Sequence, residues 1–341
     1  MLDINSYKHK VDFNDEVTGL IYGFVFQDQQ PSRRITSAQV SAEYAQSLTG
    51  ADFIWLHINL NHAAAEKWLK KQFDIKEFFF DEIRNGSRST RIESQDDVLF
   101  AVLNDASLHQ DGTSDETATL WLYCCTGLVV TARHKPLRLI EQLFRELARW
   151  APTSSTDILV HLLEGQEAAL EQIVRQANLY VDQIEECLPG RHVKENRTRL
   201  GRIRRQLLRF QRLLAPEPAA LFRLMSRPPL WLNTEVVQDL RQFAEEFTVV
   251  LNDLAGLTER IRLLQEEISA GQMEQNNRTL YVLTVITVLA LPINIIAGFF
   301  GMNVGGIPFS GNPHGFLLLV LVVTIFTLLV GWYALRRRDD D

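Results

Sequence analysis

The sequence predicts an α+β membrane protein with a cytosolic α/β/α domain, a long helical stalk and two C-terminal transmembrane helices in each subunit. Short β-rich apolar runs are confined to the first 155 residues, and after Asp157 only helical periodicity remains. The 57 residues from Thr279 to Leu335 contain no Asp, Glu, Lys or Arg, although charged residues make up 23% of the chain. A gap of this kind is typical of membrane-embedded segments.

The predicted α/β domain covers residues 1–155. Five runs rich in β-branched and aromatic residues are typical of strands, and they occupy 19–26, 52–60, 97–105, 119–125 and 128–134. Residues 63–73 and 135–150 have helical periodicity. Elements of both kinds in one segment indicate a sheet covered by helices.

The predicted stalk covers residues 156–278. Two helices are expected at 157–187 and 193–214, separated by Pro189-Gly190, and a third runs from near Trp231 to about residue 300. About seventy residues of helix would be roughly 105 Å long. The third helix has a 3.5-residue apolar repeat, which predicts a seam packed against neighbouring helices and gives a reason for subunits to assemble. Its residues are Val236, Leu240, Phe243, Phe247, Val250, Leu254, Leu257, Ile261, Leu264 and Ile268.

Charge and cysteine usage exclude some classes of protein. The net charge of −7 argues against a nucleic-acid-binding protein. An arginine cluster on the second long helix is therefore expected to face acidic residues of the third helix, namely Glu245, Glu246, Glu259, Glu266 and Glu267. The cluster comprises Arg199, Arg202, Arg204, Arg205, Arg209 and Arg212. Cys124, Cys125 and Cys187 form neither a disulfide framework nor a metal knuckle. His57 with His62, and His192 near Cys187, are interpreted as incidental neighbours.

Two transmembrane spans are predicted at 279–300 and 316–335, joined by a loop at 301–315 and followed by a tail at 336–341. The alternative is a buried helical hairpin of a soluble protein. Arg278 and Arg336 to Arg338 flank the spans, whereas the loop has no Lys or Arg. The positive-inside bias places both termini in the cytoplasm and the loop outside. The first 15 residues also lack the apolar core of a secretory signal.

One face of the first span is unusually polar. Seven residues follow one another at steps of three and four, and they are Asn277, Leu280, Thr284, Thr287, Leu291, Asn294 and Gly298. Polar groups facing lipid are unfavourable, so this stripe is expected to line water or to join two helices. Two helices cannot enclose an aqueous path, so a pore requires several copies of the chain. Leu280 and Leu291 would then be candidate hydrophobic constrictions.

The first span ends in LPINIIAGFFGMN, and a short loop and one more span follow it. This arrangement resembles the CorA superfamily of divalent-cation transporters, whose signature is the triplet Gly301, Met302 and Asn303. Residues 52–60, 73–103 and 128–140 are similar to the α/β domain of that family. The resemblance implies a funnel-shaped homopentamer in a bacterial inner membrane, with the Asn303 amides in a ring at the outer mouth of the pore. A transporter of this kind is not an enzyme and needs no resident cofactor.

The residues after the triplet bear on the choice of ion. The loop VGGIPFSGNPHGF has no acidic residue, which departs from the magnesium branch and resembles the zinc-transporting ZntB branch. Zn²⁺, with Ni²⁺ and Cd²⁺ as further candidates, is the cation expected to pass, and a Mg²⁺/Co²⁺ channel is the alternative. His314 is the titratable side chain near the mouth and a candidate metal contact. The ZntB branch also implies proton coupling, which the neutral lining leaves open. A membrane-tethered sensor or scaffold is the alternative from another class.

Overall fold

The computed structural model describes residues 17–27, 30–48, 52–86, 89–105, 118–147, 150, 152–186, 193–302 and 313–338. The chain divides into two compact units, Met1–Gln265 and Glu266–Asp341. The first unit contains a sheet and most of the helices. The second contains the apolar segments.

The strands of the first unit are β1 (Leu20–Phe26), β2 (Arg33–Arg34), β3 (Phe53–Asn59), β4 (Arg91–Gln95), β5 (Val98–Asp105), β6 (Ala118–Cys125) and β7 (Leu128–Arg133). Its shorter helices are α1 (Val40–Ser47), α2 (Ala65–Gln72), α3 (Glu77–Asn85), α4 (Arg138–Glu146) and α7 (Pro216–Ser226). The long helices are α5 (Ser155–Glu186), α6 (Val193–Leu214) and α8 (Thr234–Phe300), and α9 spans Gly315–Arg338.

The sheet has the strand order β2-β1-β3-β7-β6-β5-β4. Only the pairing of β3 with β7 is parallel among the described strands, and the remaining neighbours are antiparallel. Helices α1, α2 and α3 contribute Val40, Leu69 and Phe79 to the core on one face. On the other face Phe144 of α4 stacks on Tyr22 with ring centroids 4.5 Å apart, and α5 contacts β3, β6 and β7. Helices on both faces explain why β5 is buried along its whole length.

All five predicted strands and both predicted short helices are confirmed. The elements absent from the prediction have weak sequence signals. β4 has the sequence RIESQ and lies at the edge of the sheet, where only Ile92 is buried and apolar periodicity is lost. α3 has three consecutive phenylalanines, which fit a strand as well as a helix. α7 begins at Pro216, immediately after α6, so the sequence shows no separating loop.

The three long helices pack together within the first unit. Arg260 of α8 lies 2.8 Å from Asp182 of α5, and an added Cβ at Gly201 of α6 would lie 3.4 Å from Gln265 of α8. Every predicted seam residue from Val236 to Leu264 is buried in the single chain. The seam prediction is confirmed, but neighbouring helices of the same chain already cover this part of it. The seam therefore does not supply the reason for assembly that its periodicity suggested.

The predicted docking of the arginine cluster on α8 is confirmed for one pair. The positive charge of Arg204 lowers the pKa of Glu259, after the larger effect of the hydrogen bond from Arg262. Arg199 instead pairs with Glu195 of its own helix at 2.9 Å. Glu246 lies in a groove between α5 and α8, away from α6.

Glu217, at the start of α7, is a fully buried carboxyl group. Gln166 Nε2 donates to Glu217 Oε2 at 3.0 Å and to the carbonyl oxygen of Asn104 at 3.1 Å. Glu217 Oε1 has no hydrogen-bond partner among the described residues. Burial raises the pKa of Glu217 to about 8, and the hydrogen bond from Gln166 offsets only part of that rise. The folded protein therefore holds a proton that the unfolded chain releases.

Stability should accordingly decrease as the pH rises through the range between the ordinary and the raised pKa of Glu217. Over about 1.5 pH units in that range the change is about 2 kcal/mol. We expect the Tm of the detergent-purified protein to fall more between about pH 6 and pH 7.5 than the Tm of Glu217→Gln, which carries no titrating group there. Parallel pH profiles for the two proteins would show that Glu217 is not protonated in the fold.

The second unit comprises the rest of α8 and α9. Among the described residues, α8 is the one helix long and apolar enough to cross a membrane, and α9 contains a shorter apolar segment, Gly315–Val330. The most apolar window of α8 is not buried inside the chain. The first predicted span is thus matched by a suitable helix, while a second span over 316–335 stays a prediction.

A candidate cation pathway along α8

All seven residues of the predicted polar stripe lie on the part of α8 that belongs to the second unit. Gly301 and Met302 follow the helix directly, and His314 precedes α9, where its carbonyl oxygen accepts a hydrogen bond from Leu318 N at 3.1 Å. Asn303, the third residue of the triplet, lies outside the described residues. The contacts of its side chain therefore stay a prediction.

The polar stripe is exposed throughout the single chain. Leu280 and Leu291 are 59% and 58% exposed, and the amide and hydroxyl residues of the stripe fall in the same exposed class. The more covered side chains of this segment are Val285, Leu289, Pro292, Ile293 and Ile296. At 100° per residue, they centre about 150° around the helix from the stripe. The polar face is thus directed away from whatever covers the helix within its own chain.

Both threonines of the stripe bond back to their own helix. Thr284 Oγ1 donates to the carbonyl oxygen of Leu280, and Thr287 Oγ1 donates to that of Leu283, each at 2.8 Å. The hydroxyl hydrogens are therefore satisfied inside the helix, and the oxygen lone pairs point outward as acceptors. A surface of this kind favours cations or water donors over anions.

Pro292 lies inside α8 and has no N–H group. The carbonyl oxygen of Val288, four residues earlier, consequently loses its usual helical donor. An unsatisfied carbonyl is unfavourable in a membrane unless water, protein or an ion reaches it. Pro292 adds a backbone acceptor close in sequence to Thr287 and Leu291.

Gly301 closes the helix. Its N–H donates to the carbonyl oxygen of Ala297 at 2.9 Å, and a Cβ at this position would lie 3.0 Å from the same oxygen. A side chain here would require the neighbouring backbone to move by a few tenths of an ångström, so the helix end favours glycine. Met302 follows with its side chain 48% exposed, which leaves it available for packing against a neighbour.

The histidines considered as metal ligands have other roles. His57 is fully buried, its Nε2 accepts a hydrogen bond from Arg133 Nε at 3.0 Å, and its Nδ1 lies 2.9 Å from Thr131 Oγ1. Burial, with Arg133 adding to it, holds the pKa of His57 well below its ordinary value. His62 Nδ1 accepts a hydrogen bond from Ala64 N at 3.3 Å. In the described part of the chain, no three His, Cys, Asp or Glu side chains are grouped so that they could hold a metal ion.

Cys187 and His192, the other pair considered from the sequence, lie outside the described residues. Sequence reasoning did not foresee the inward bonding of the threonine hydroxyls. The signal for it was present, because threonines within helices commonly bond to the carbonyl four residues earlier.

An α/β domain followed by long helices, with an exposed apolar helix that carries a polar stripe, is the arrangement expected of a membrane transport protein. The family model described as "CorA-like Mg2+ transporter protein" matches residues 50–337. The chain belongs to this CorA family. It is a membrane transporter of divalent cations, not an enzyme, with a membrane-spanning helix near its C-terminus.

Among curated relatives, the zinc transport protein ZntB of Yersinia pseudotuberculosis is 25% identical over 285 residues, which are 83% of this chain and 87% of the relative. The divalent cation transporter CmaX of Pseudomonas aeruginosa is 25% identical over 323 residues, which are 94% of this chain and 96% of the relative.

Solved structures show the same fold. A full-length CmaX structure matches with a TM-score of 0.77 at 26% identity, covering 94% of this chain and 97% of that one. The CorA magnesium transporter of Methanocaldococcus jannaschii matches with a TM-score of 0.73 at 16% identity, covering 91% and 96%.

The close contact at Gly301 gives a test of the helix end. We expect Gly301→Ala to reduce divalent-cation flux about tenfold or more, because displacing the helix terminus misplaces the residues that follow. The matched control is Gly271→Ala in the same helix, where an added Cβ meets nothing within 4 Å. Flux is measured in proteoliposomes with equal amounts of protein. Equal flux in the two variants would mean that the helix end tolerates a side chain.

Proposed function

We propose that this protein carries Zn²⁺ through a pore formed by five copies of the chain, with α8 of each copy lining the pore. The observation that supports this most directly is the exposed stripe of amides and hydroxyls on a segment that is otherwise apolar. Such groups are unfavourable against lipid. A water-filled axis shared by several copies would solvate all of them.

The position of the stripe favours the pore over the alternative of a polar seam within one subunit. A seam that joins the two apolar helices of one chain would lie on the covered face of α8. The stripe instead lies about 150° away from the covered side chains. This exposure supports a pore in which the stripes of several copies meet around an axis.

The proposed selectivity element is the triplet Gly301, Met302 and Asn303. Five Asn303 side chains would form a ring of neutral amide oxygens, which can hydrogen-bond to the water shell of a cation without trapping it as carboxylates would. The remaining lining residues are the seven of the polar stripe, and His314 is a second candidate contact at the mouth.

We propose that residues 1–155 and 156–278 lie in the cytoplasm, that 279–300 and 316–335 cross the membrane, that 301–315 face outside and that 336–341 return to the cytoplasm. The apolar length of α9 and the three arginines at its C-terminal end support the second span. The relevant membrane is the bacterial inner membrane.

Zinc is favoured over magnesium by two observations. The loop after Asn303 is free of acidic residues, and ZntB, a protein named for zinc transport, matches 83% of the chain. The family model is named for Mg²⁺ and CmaX for divalent cations in general, so a Mg²⁺ channel is the second candidate. A neutral lining suits a hydrated dication of either kind, with Ni²⁺ and Cd²⁺ as further cargo.

The membrane potential is a sufficient driving force. It supplies about 2.3 kcal/mol per charge per 100 mV, which is about 4.6 kcal/mol for a dication moving inward. The described stripe contains no titratable side chain. Any coupled proton would therefore have to use groups elsewhere, such as His314.

A water-filled axis predicts a pattern of chemical accessibility. Thr284→Cys and Asn294→Cys, introduced after the three native cysteines are replaced by alanine, should react with a water-soluble thiol reagent. Val285→Cys and Leu289→Cys, on the covered face, should react at least about tenfold more slowly, because a thiolate forms poorly in an apolar environment. Equal rates on the two faces, or unreactive stripe positions, would contradict the pore.

The ion is tested by flux of radioactive zinc into proteoliposomes. We expect zinc uptake that persists in excess Mg²⁺ and that Asn303→Ala reduces about tenfold or more while oligomers still form. Uptake of Mg²⁺ but not zinc would favour the magnesium channel. Ion flux that is unchanged in Asn303→Ala would favour the membrane-tethered scaffold.

A further inference from the structure

The long helices of the first unit carry unequal charge. α6 contains eight basic residues and one acidic residue, whereas α5 contains seven acidic residues and one arginine. Arg204 acts on Glu259 of α8, whereas Arg202, Arg205 and Arg212 of the same helix are exposed. The bundle therefore has a positive side and a negative side.

The negative side forms a groove between α5 and α8 of about 660 Å³. Its carboxylates are Glu167 and Glu171 on α5 and Glu246 and Asp253 on α8, and we call it the acidic groove. Arg175 is the basic residue in its lining, and it lies 3.7 Å from Glu171. The net charge of the groove stays negative.

The carboxylates of the acidic groove act on one another. Burial raises the pKa of Glu167, and the negative charges of Glu246, Glu171 and Glu164 raise it further. Like charges are thus held together across two helices. A positively charged group that entered the groove would relieve this repulsion.

The floor of the acidic groove is apolar. Val174 and Val250 are buried there, while Val249 is 59% exposed. Carboxylates above an apolar floor suit the arginine side chain, whose aliphatic stem covers apolar surface while its guanidinium pairs with carboxylates. They suit a bare metal ion poorly, and no metal-holding cluster occurs among the described residues.

The positive side is a regular face of α6, which we call the basic face. Its arginines are Arg202, Arg205, Arg209 and Arg212. Their spacing of three, four and three places them on one side of the helix, over a length of about 15 Å. The buried residues of α6, among them Leu200, Leu207 and Leu214, lie on the opposite side. The basic face therefore points out of the bundle.

The two surfaces match in length as well as in charge. From Glu167 to Asn178 the acidic groove follows α5 for about 16 Å. The basic face cannot reach the groove of its own chain, because it is directed away from the bundle that forms the groove. The partner that fits is a second copy.

We infer that the basic face of α6 of one copy docks in the acidic groove between α5 and α8 of the next copy. This inference rests on the proposed function, in which several copies surround one pore. Because the two surfaces are different, each copy binds one neighbour through its basic face and another neighbour through its acidic groove. Such a head-to-tail interface closes into a ring when the rotation between copies permits it.

Cross-linking between copies tests the contact directly. The full-length chain, with its native cysteines replaced by alanine, carries Glu171→Cys and Arg205→Cys and is oxidised in membranes. We expect a ladder of linked copies on denaturing gels. The matched control carries Glu245→Cys on α8, one of the two helices that form the groove, and Arg197→Cys on α6. Both positions lie outside the acidic groove and the basic face, so the control should give at least about tenfold less cross-linking. No ladder, or equal ladders, would overturn the inference.

Charge reversal provides a second measurement that does not depend on cysteines. One variant reverses three residues of the acidic groove, Glu167→Lys, Glu171→Lys and Glu246→Lys. Another reverses three residues of the basic face, Arg202→Glu, Arg205→Glu and Arg212→Glu. Each should raise the protein concentration needed for half-assembly in detergent about tenfold or more, since like charges would face each other.

A chain carrying all six reversals exchanges the signs of the two surfaces and should assemble again to within about threefold of the original chain. Restored assembly would show that misfolding is not the reason why each three-residue variant assembles more weakly. Oligomers that transport zinc but show neither cross-linking nor dependence on these charges would overturn this inference and leave the proposed pore intact. Failure of the unaltered chain to form oligomers would overturn both.

Discussion

The fold depends on how the apolar side chains of one helix, α8, are removed from water. Between Val236 and Leu264 its apolar residues follow a narrow seam that is buried within the chain, which leaves the other faces free for charges. Beyond Thr279 apolar residues occupy most of the helix surface, and the most apolar window has no buried residue within the chain. The first pattern is satisfied by neighbouring helices and the second by lipid. The change of pattern along α8 marks the boundary between the part of the helix that packs against protein and the part that is expected to lie in the membrane.

This constraint also shapes the candidate pathway. A charged side chain inside the bilayer is strongly unfavourable, and a fixed carboxylate would bind a dication tightly enough to slow its release. The membrane segment uses instead the weakest polar groups available to it, namely amides, hydroxyls and the carbonyl freed by Pro292. The charged side chains lie outside the 57 residues from Thr279 to Leu335, and most of them belong to the first unit. In the proposed pore, the attraction of cations and their passage would therefore fall to different parts of the chain.

Much of the fold could be predicted because its signals are local. Strands such as β5 and β7 are continuous apolar runs, and the bounds of α6 follow from its flanking Pro189-Gly190 break and its periodicity. The polar edge strand β4 and the phenylalanine-rich α3 were not predicted, because their state depends on what packs against them. The seam of α8 could be detected from its periodicity. The sequence did not show whether the helices that pack against the seam belong to the same chain or to another copy. The stripe was predicted residue by residue, while the acidic groove became visible only once α5 and α8 were brought together.

The sign of the charges on the bundle bears on the symmetry of assembly. In a two-fold dimer each surface meets its own copy, so the basic face would oppose a basic face and the acidic groove an acidic groove. Both contacts would be repulsive, because like charges would face each other. A head-to-tail arrangement replaces both repulsions with attraction and leaves every copy in the same environment. A shared pore axis requires that same equivalence, because each α8 must present its stripe to the centre. The separated charges of α5 and α6 and the polar stripe of α8 therefore both favour cyclic symmetry, although they are two independent sets of residues.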